Sequence, residues 1–158
     1  MMQRLLSTLV VLAWGLWFGA IVMVFVAVTA LFATFADQRP IAGIAAAGVF
    51  RRFEVLQLIA AVLGLAGAAG WRFTGARSRA RTAVLALLAA ATVGACVSRF
   101  ALTPRIDDLR LAGQSGSEQF KKLHGVSSSV YSAQAALLLA AGLILPAAVA
   151  GRRDAPKD

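Results

Sequence analysis

The sequence predicts an all-α protein, an integral membrane four-helix bundle with a short amphipathic extramembrane segment between the third and fourth helices. Hydrophobic residues make up 59% of the chain and its mean hydropathy is +0.77, which is far from the composition of soluble domains. At 158 residues there is room for a single domain. A spanning helix needs about 20 mostly apolar residues, and four such stretches occur, at residues 5–35, 53–73, 83–102 and 126–150.

The first span is expected to be a retained membrane anchor. Arg4 precedes a hydrophobic run that is much longer than the roughly 7–15 residues of a signal-peptide core. Within it, Gly15 and Gly19 are four residues apart, a spacing that allows another helix to approach closely.

The second span is preceded by an apolar segment, residues 40–50, which begins at Pro40. Proline fits the first turn of a helix. One helix from Pro40 to Phe73 would be about 50 Å long, which is too long for one ordinary crossing. We therefore expect the segment to lie along the membrane surface and to bend near Arg51. The alternative is a helix that projects beyond the bilayer.

The third span contains Cys96, the only cysteine, which we interpret as a small core residue without an intrachain disulfide. Residues 103–125 then form the amphipathic segment, predicted as two short helices. The first would follow Pro104 and place Ile106 against the membrane interface. The second would be capped by Ser117.

Small residues recur at four-residue steps in several spans. We predict helix packing at Gly15, Gly19, Gly64 and Gly94. Packing within the monomer is favoured over a dimer face.

The formal charge of +9, from 16 basic and 7 acidic residues, does not predict nucleic-acid binding. Most basic residues flank the spans, where they orient a membrane protein and contact anionic headgroups. The expected partners are therefore a lipid bilayer with anionic headgroups and either further copies of the chain or an unknown membrane protein.

The orientation depends on where the basic residues are concentrated. Four spans place both termini and the second loop on one side, and each side carries eight of the 16 basic residues. The second loop concentrates Arg72, Arg77, Arg79 and Arg81 within ten residues and has no acid. This density predicts an inner (plasma) membrane protein with both termini in the cytoplasm.

Polar residues are expected to collect at the opposite end of the bundle. Glu54 and Arg99 lie near the ends of neighbouring spans. A charge costs about 2.5–3.5 kcal/mol at the centre of a spanning helix, so these two residues are natural partners if both face inward. Separate headgroup contacts are the alternative. The predicted polar cluster comprises Glu54, Gln57, Arg99, Pro104, Arg105, His124, Ser127 and Ser128.

No pattern of residues predicts catalysis, a cofactor or a metal. His124 is the only histidine, so bis-histidine haem ligation is excluded and a zinc site with distant Cys96 is not expected. An interhelical network is favoured for His124 over titration or proton relay. Asp107 and Asp108 are adjacent and would point about 100° apart on a helix. We predict that the chain is not an enzyme.

Residues 103–131 resemble the transmembrane protein 205 family of small membrane proteins. The shared pattern is a Pro-Arg pair after the third span, a variable amphipathic loop, and a Phe, His-Gly and Ser-Ser series. Tyr131 stands where the family pattern leads us to expect asparagine. The resemblance implies a four-helix membrane domain and no established activity. It is carried by Pro104, Arg105, Phe120, His124, Gly125, Val126, Ser127 and Ser128.

The leading functional hypothesis is a non-enzymatic scaffold or accessory membrane component that associates through its small-residue faces. A small oligomeric transporter with Glu54, Gln57, Arg99 and His124 near its entrance is the alternative, and a redox protein is a distant one. A transporter predicts a polar cavity that continues past Gln57 and Gln134. A scaffold predicts a closed apolar core.

Overall fold

The computed structural model describes residues 1–74 and 78–150 and has four helices that are long and apolar enough to cross a membrane. Within the described residues there is no strand. The predicted all-α membrane bundle is thus confirmed. Arg77, Arg152, Arg153 and Lys157, which entered the charge count, lie outside the described residues. The helices are α1 (Met2–Thr34), α2 (Arg39–Thr74), α3 (Arg79–Val97), a π-helical turn (Ser98–Leu102), α4 (Thr103–Leu111) and α5 (Glu118–Ala150).

Helices α1 and α2 form an antiparallel pair with close backbone approach. Gly67 allows this because a Cβ there would lie 3.1 Å from Val10 Cγ2. At the far end, Gln3 Nε2 donates to the Thr74 carbonyl oxygen at 2.9 Å. Helix α3 packs against both α2 and α5, which closes the bundle around one core. The largest side chains buried there are Trp17, Trp71, Ile21, Leu88 and Leu138.

Helix α1 meets α5 through Trp14. Its Nε1 donates to the Leu138 carbonyl oxygen at 2.7 Å. The indole lies directly over Gly142, where a Cβ would be 2.2 Å from Trp14 Cζ2. A side chain larger than hydrogen at Gly142 is therefore incompatible with this position of the indole.

Helix α2 is one uninterrupted helix of 36 residues, whereas we expected residues 40–50 to lie along the membrane surface and to bend near Arg51. Ala42, Ala46 and Ala47 are buried, which shows that residues 40–50 pack against the rest of the bundle instead of lying apart from it. At 1.5 Å per residue the helix is about 54 Å long. The structure agrees with the alternative of a single long helix.

The third span continues as a helix to Leu111 instead of ending at residue 102. In the π-helical turn, the Thr103 N–H donates to the Ser98 carbonyl five residues back. Pro104 follows, and its ring would clash with the carbonyl four residues back in a regular α-helix, so the wider turn accommodates it.

The connection from α4 to α5 is a tight helix end followed by a cap. Gly113 has φ +71°, and the Gln114 N–H donates to the Leu109 carbonyl at 2.8 Å, as in a Schellman motif. Ser117 Oγ then accepts from the Phe120 N–H at 3.1 Å, so the predicted cap is confirmed. The helix it caps is not a separate short one but the start of α5.

The predicted packing glycines divide into two groups. Gly64 and Gly94 face other helices, and a Cβ at Gly94 would lie 2.9 Å from Gln134 Nε2. A Cβ at Gly15 or Gly19 would have no neighbour within 4 Å among the described residues. Their predicted role in packing within the monomer is wrong, because α1 turns a different face, that of Val10, toward the core.

Candidate functional site

The candidate site is centred on the carboxylate of Glu54, which is fully buried on α2. The Tyr131 hydroxyl donates to Glu54 Oε1 at 2.9 Å, and Thr103 Oγ1 donates to the same oxygen. Arg99 Nη1 approaches Glu54 Oε2 at 3.4 Å. Three spans thus converge on one acidic side chain. We call Glu54, Arg99, Thr103 and Tyr131 the Glu54 cluster.

The π-helical turn positions two of these donors. Arg99 and Thr103 are four residues apart and share one face of the third span. Pro104 is itself exposed, but it follows Thr103 directly at the point where the helix widens. Its contribution to the site is therefore through the backbone, because it helps to place the Thr103 hydroxyl.

Burial makes this arrangement energetically demanding. The Glu54 side chain is 0% exposed, whereas 37% of the Arg99 side chain is accessible, as expected for an arginine that extends toward the interface. The 3.4 Å separation is longer than the roughly 2.7–2.9 Å of a tight charge-assisted hydrogen bond. The two hydroxyl donors consequently make the closer contacts, and together the three groups offset the desolvation of the carboxylate.

Tyr131 is held in place by aromatic neighbours on α2. Its ring centroid lies 5.2 Å from that of Phe50 and 6.0 Å from that of Phe53. Sequence reasoning did not assign Tyr131 to the site. Its spacing was an available signal, because Ser127, Tyr131 and Gln134 follow one another at steps of four and three residues and so share one face of a helix. In the structure all three are buried on the face of α5 toward the bundle.

A second polar layer lies one turn deeper. Gln57 and Gln134 are 0% and 1% exposed and follow Glu54 and Tyr131 by three residues. Gln134 Nε2 donates to the Ala91 carbonyl at 3.4 Å. Both amide atoms of Gln57, and Gln134 Oε1, have no hydrogen-bond partner among the described residues. Buried amides of this kind are unusual and call for polar partners.

A cavity of about 780 Å³ adjoins the Glu54 cluster. Thr103 and Tyr131 contribute to its wall and also donate to Glu54, so the two residues connect the cavity with the cluster. Phe25 and Phe32 line it from α1, and Phe50 lines it from α2. Its volume is in the range of about 300–1,000 Å³ that is typical of small-molecule sites.

The remaining predicted residues are at the periphery. Arg105, His124 and Ser128 are exposed, and Ser127 is buried. His124 stacks on Phe120, with ring centroids 6.0 Å apart and planes 7° apart. His124, Ser127 and Ser128 line the cavity, but their side chains are not among the donors to Glu54. The structure therefore brings Glu54 and Arg99 together and leaves His124 outside that cluster.

Charged side chains surround the mouth of the cavity. Asp107 Oδ1 lies 2.5 Å from Arg110 Nη1, and Asp107 Oδ2 lies 3.8 Å from Arg51 Nε. The Arg110 guanidinium is also 5.8 Å from the centre of the Phe120 ring. Within residues 1–74 and 78–150, no group of three histidine, cysteine or acidic side chains is placed to hold a metal ion.

The fold and the site together define a multi-pass helical membrane protein with a buried carboxylate cluster beside an apolar cavity. A sequence model described as a domain of unknown function, DUF4149, matches residues 12–115, and the chain belongs to that family. The match runs from α1 to just beyond α4 and does not include α5. No curated protein and no solved structure matches the chain.

Replacing Tyr131 with phenylalanine is expected to lower the free energy of unfolding by about 1.5–3 kcal/mol. The hydroxyl lost is a direct donor to buried Glu54, and hydrogen bonds to charged groups contribute about 1.5–3 kcal/mol. Unfolding by sodium dodecyl sulfate in mixed micelles, followed by circular dichroism, measures the change. Ser129→Ala is the control, because the Ser129 hydroxyl donates to the Gly125 carbonyl of its own helix and not to Glu54. Equal stabilities for the two variants would contradict the assigned role.

Proposed function

We propose that this DUF4149 protein is a non-enzymatic scaffold or accessory membrane component that associates with another membrane helix through α1. The observation that carries the proposal is the outward position of Gly15 and Gly19. A Cβ at either position would meet nothing within 4 Å in the described chain. Glycines four residues apart allow helix backbones to approach closely in lipid, so this face offers a contact that the monomer itself does not use.

The contrast with other glycines supports this reading. At Gly67, Gly70 and Gly142, by contrast, an added Cβ would lie within 3.1 Å of a side chain of a neighbouring helix. The flanking side chains Leu16 and Met23 are 49% and 62% exposed, and are therefore available to a partner helix. In lipid, apolar exposure alone does not drive association, but close van der Waals packing does.

Replacing both Gly15 and Gly19 with leucine is expected to reduce association at least about fivefold, the effect of roughly 1 kcal/mol. Leucine is compatible with the fold because both positions are open. Cross-linking of the protein in native membranes, followed by mass spectrometry, would quantify self-association and any partner. A matched control introduces leucine at Ala90 and Ala136, which are exposed on α3 and α5. If the Gly15 and Gly19 variant cross-links as well as the unaltered protein, the α1 interface is rejected.

A small oligomeric transporter is the second candidate, and the unpartnered amides of Gln57 and Gln134 favour it. They extend the polar path one turn beyond Glu54. Neither glutamine lines the 780 Å³ cavity, and Trp17, Leu88 and Leu138 are fully buried in the same core. This filled core favours the accessory role. Ion or solute flux in proteoliposomes that Gln57→Leu abolishes would reverse that preference.

We further propose an inner-membrane location with both termini in the cytoplasm, supported by Arg72, Arg79 and Arg81 at the α2–α3 end of the bundle. Reporter fusions at the C-terminus test the orientation, and an active periplasmic reporter there would overturn it. The finer resemblance to the transmembrane protein 205 family also remains part of the proposal. Its most specific residues, 120–128, lie beyond the matched range.

A further inference from the structure

The cavity beside the Glu54 cluster combines an apolar wall with a charged mouth. Phe25, Val28 and Phe32 form the wall contributed by α1, and Ile44 and Phe50 belong to the part contributed by α2. The charged lining residues are Arg39, Arg110 and Asp107, so two positive charges and one negative give the lining a net charge of +1. We propose that this cavity is a binding site for an anionic phospholipid, with one acyl chain inside and the headgroup at Arg39 and Arg110.

The shape of the cavity suits an acyl chain. From Phe25 to Phe32, seven residues of α1 cover a rise of about 10 Å, a third of the roughly 30 Å hydrocarbon thickness. Phe25, Phe32 and Ile44 are 40%, 41% and 64% exposed, so the wall is open to its surroundings. These residues belong to helices that are long and apolar enough to cross a membrane, so lipid is the occupant that this open apolar wall suits.

The charges at the mouth supply the selectivity. An acyl chain that leaves the bilayer for the cavity exchanges one hydrocarbon environment for another, and so gains little from the hydrophobic effect. Basic residues in pockets between spanning helices instead recognise anionic headgroups. Asp107 holds Arg110 at 2.5 Å and leaves Arg39, an exposed residue at the start of α2, as the main unneutralised charge of the lining. The expected ligand is therefore a phospholipid with a negative headgroup.

The Glu54 cluster borders the cavity on one side. Thr103 and Tyr131 are lining residues, and both hydroxyls already donate to Glu54. The rings of Phe50 and Tyr131, whose centroids are 5.2 Å apart, give the acyl chain an apolar surface to pack against. Glu54 is not a lining residue, so the buried carboxylate would not meet the lipid.

The test is native mass spectrometry of the full-length protein, titrated in detergent with phosphatidylglycerol or phosphatidylcholine. We expect one tightly retained phosphatidylglycerol and a preference of about fivefold over phosphatidylcholine, the effect of roughly one basic residue. Arg39→Gln should remove that preference, whereas Arg52→Gln, at an exposed position outside the lining, should retain it. Equal retention of the two lipids by the unaltered protein would overturn the proposal.

A matched pair of glycine variants tests the location. Gly43 lines the cavity and Gly48 does not, and a Cβ at either would meet nothing within 4 Å among residues 1–74 and 78–150. Both lie on α2, so phenylalanine at each changes the helix similarly. Gly43→Phe is expected to reduce retained phosphatidylglycerol about tenfold, and Gly48→Phe to leave it unchanged. Equal retention in both variants would place the lipid elsewhere on the surface.

A labelling experiment on the unaltered protein makes the test independent of how the variants fold. Phosphatidylglycerol carrying a photoactivatable diazirine in its chain would be incorporated into vesicles with the protein and then cross-linked. Adducts are expected at Phe25, Val28 or Phe50. Adducts confined to Val62 and Leu143, exposed side chains on other faces, would show ordinary boundary lipid and reject the site.

Discussion

Replacing Arg99 with methionine is expected to lower the free energy of unfolding by about 3 kcal/mol. The substitution keeps a long apolar stem but removes the only positive group within reach of the buried Glu54 carboxylate in the described residues. Removal of one partner of a buried ion pair costs about 3–5 kcal/mol because the remaining charge is uncompensated. The lower end applies because 37% of the Arg99 side chain is accessible. Detergent-induced unfolding followed by circular dichroism measures the loss.

The double variant Glu54→Gln with Arg99→Met separates charge from packing. Neutral glutamine needs no counter-charge and can still accept from Thr103 and Tyr131, so the pair should recover about half of the lost stability or more. Arg52→Met is the control, because Arg52 is exposed at the same end of α2 and should change stability by less than about 0.5 kcal/mol. A double variant no more stable than Arg99→Met alone would show that the Arg99 effect is not electrostatic.

Replacing Gly142 with alanine is expected to destabilise the protein by about 2–4 kcal/mol. The new Cβ would lie 2.2 Å from Trp14 Cζ2, so the indole must move, and overpacking of this kind costs about 1–3 kcal/mol. The movement also breaks the 2.7 Å hydrogen bond from Trp14 to the Leu138 carbonyl, which adds about 1 kcal/mol. The effect should appear in the same unfolding assay.

Gly125 provides the matched control on the same helix. A Cβ at Gly125 would meet nothing within 4 Å in the described part of the chain, and alanine is favoured over glycine in helices by about 1 kcal/mol. Gly125→Ala should therefore be neutral or stabilising, opposite in sign to Gly142→Ala. In a protein that already carries Trp14→Ala, Gly142→Ala should no longer lower the free energy of unfolding. If Gly142→Ala were as stable as Gly125→Ala, α1 and α5 would not be packed through this contact.

The sequence was sufficient to predict four apolar helices able to cross a membrane and the end at which Glu54 and Arg99 meet. A chain that crosses a bilayer must satisfy its backbone groups internally, so four long apolar stretches can only be helices. Because successive spans cross the bilayer in opposite directions, Glu54 and Arg99 lie at the same end of the bundle. The cost of an isolated charge in the membrane then makes them natural partners. Local turn chemistry was equally readable, since Ser117 caps α5 as its residue type suggests.

Contacts between helices depended on the tertiary structure. Small-residue spacing marks where helices can approach but not which face turns inward, so Gly15 and Gly19 point outward while Gly142 receives Trp14. The hydrogen bond from Tyr131 to Glu54 depends on how α5 is shifted along its axis relative to α2, to within one turn. No local sequence pattern specifies that shift. The cavity, too, exists only through the relative placement of α1, α2, α4 and α5. Helix identity is a local property of hydrophobic length, whereas register and rotation arise from the packing of all the helices together.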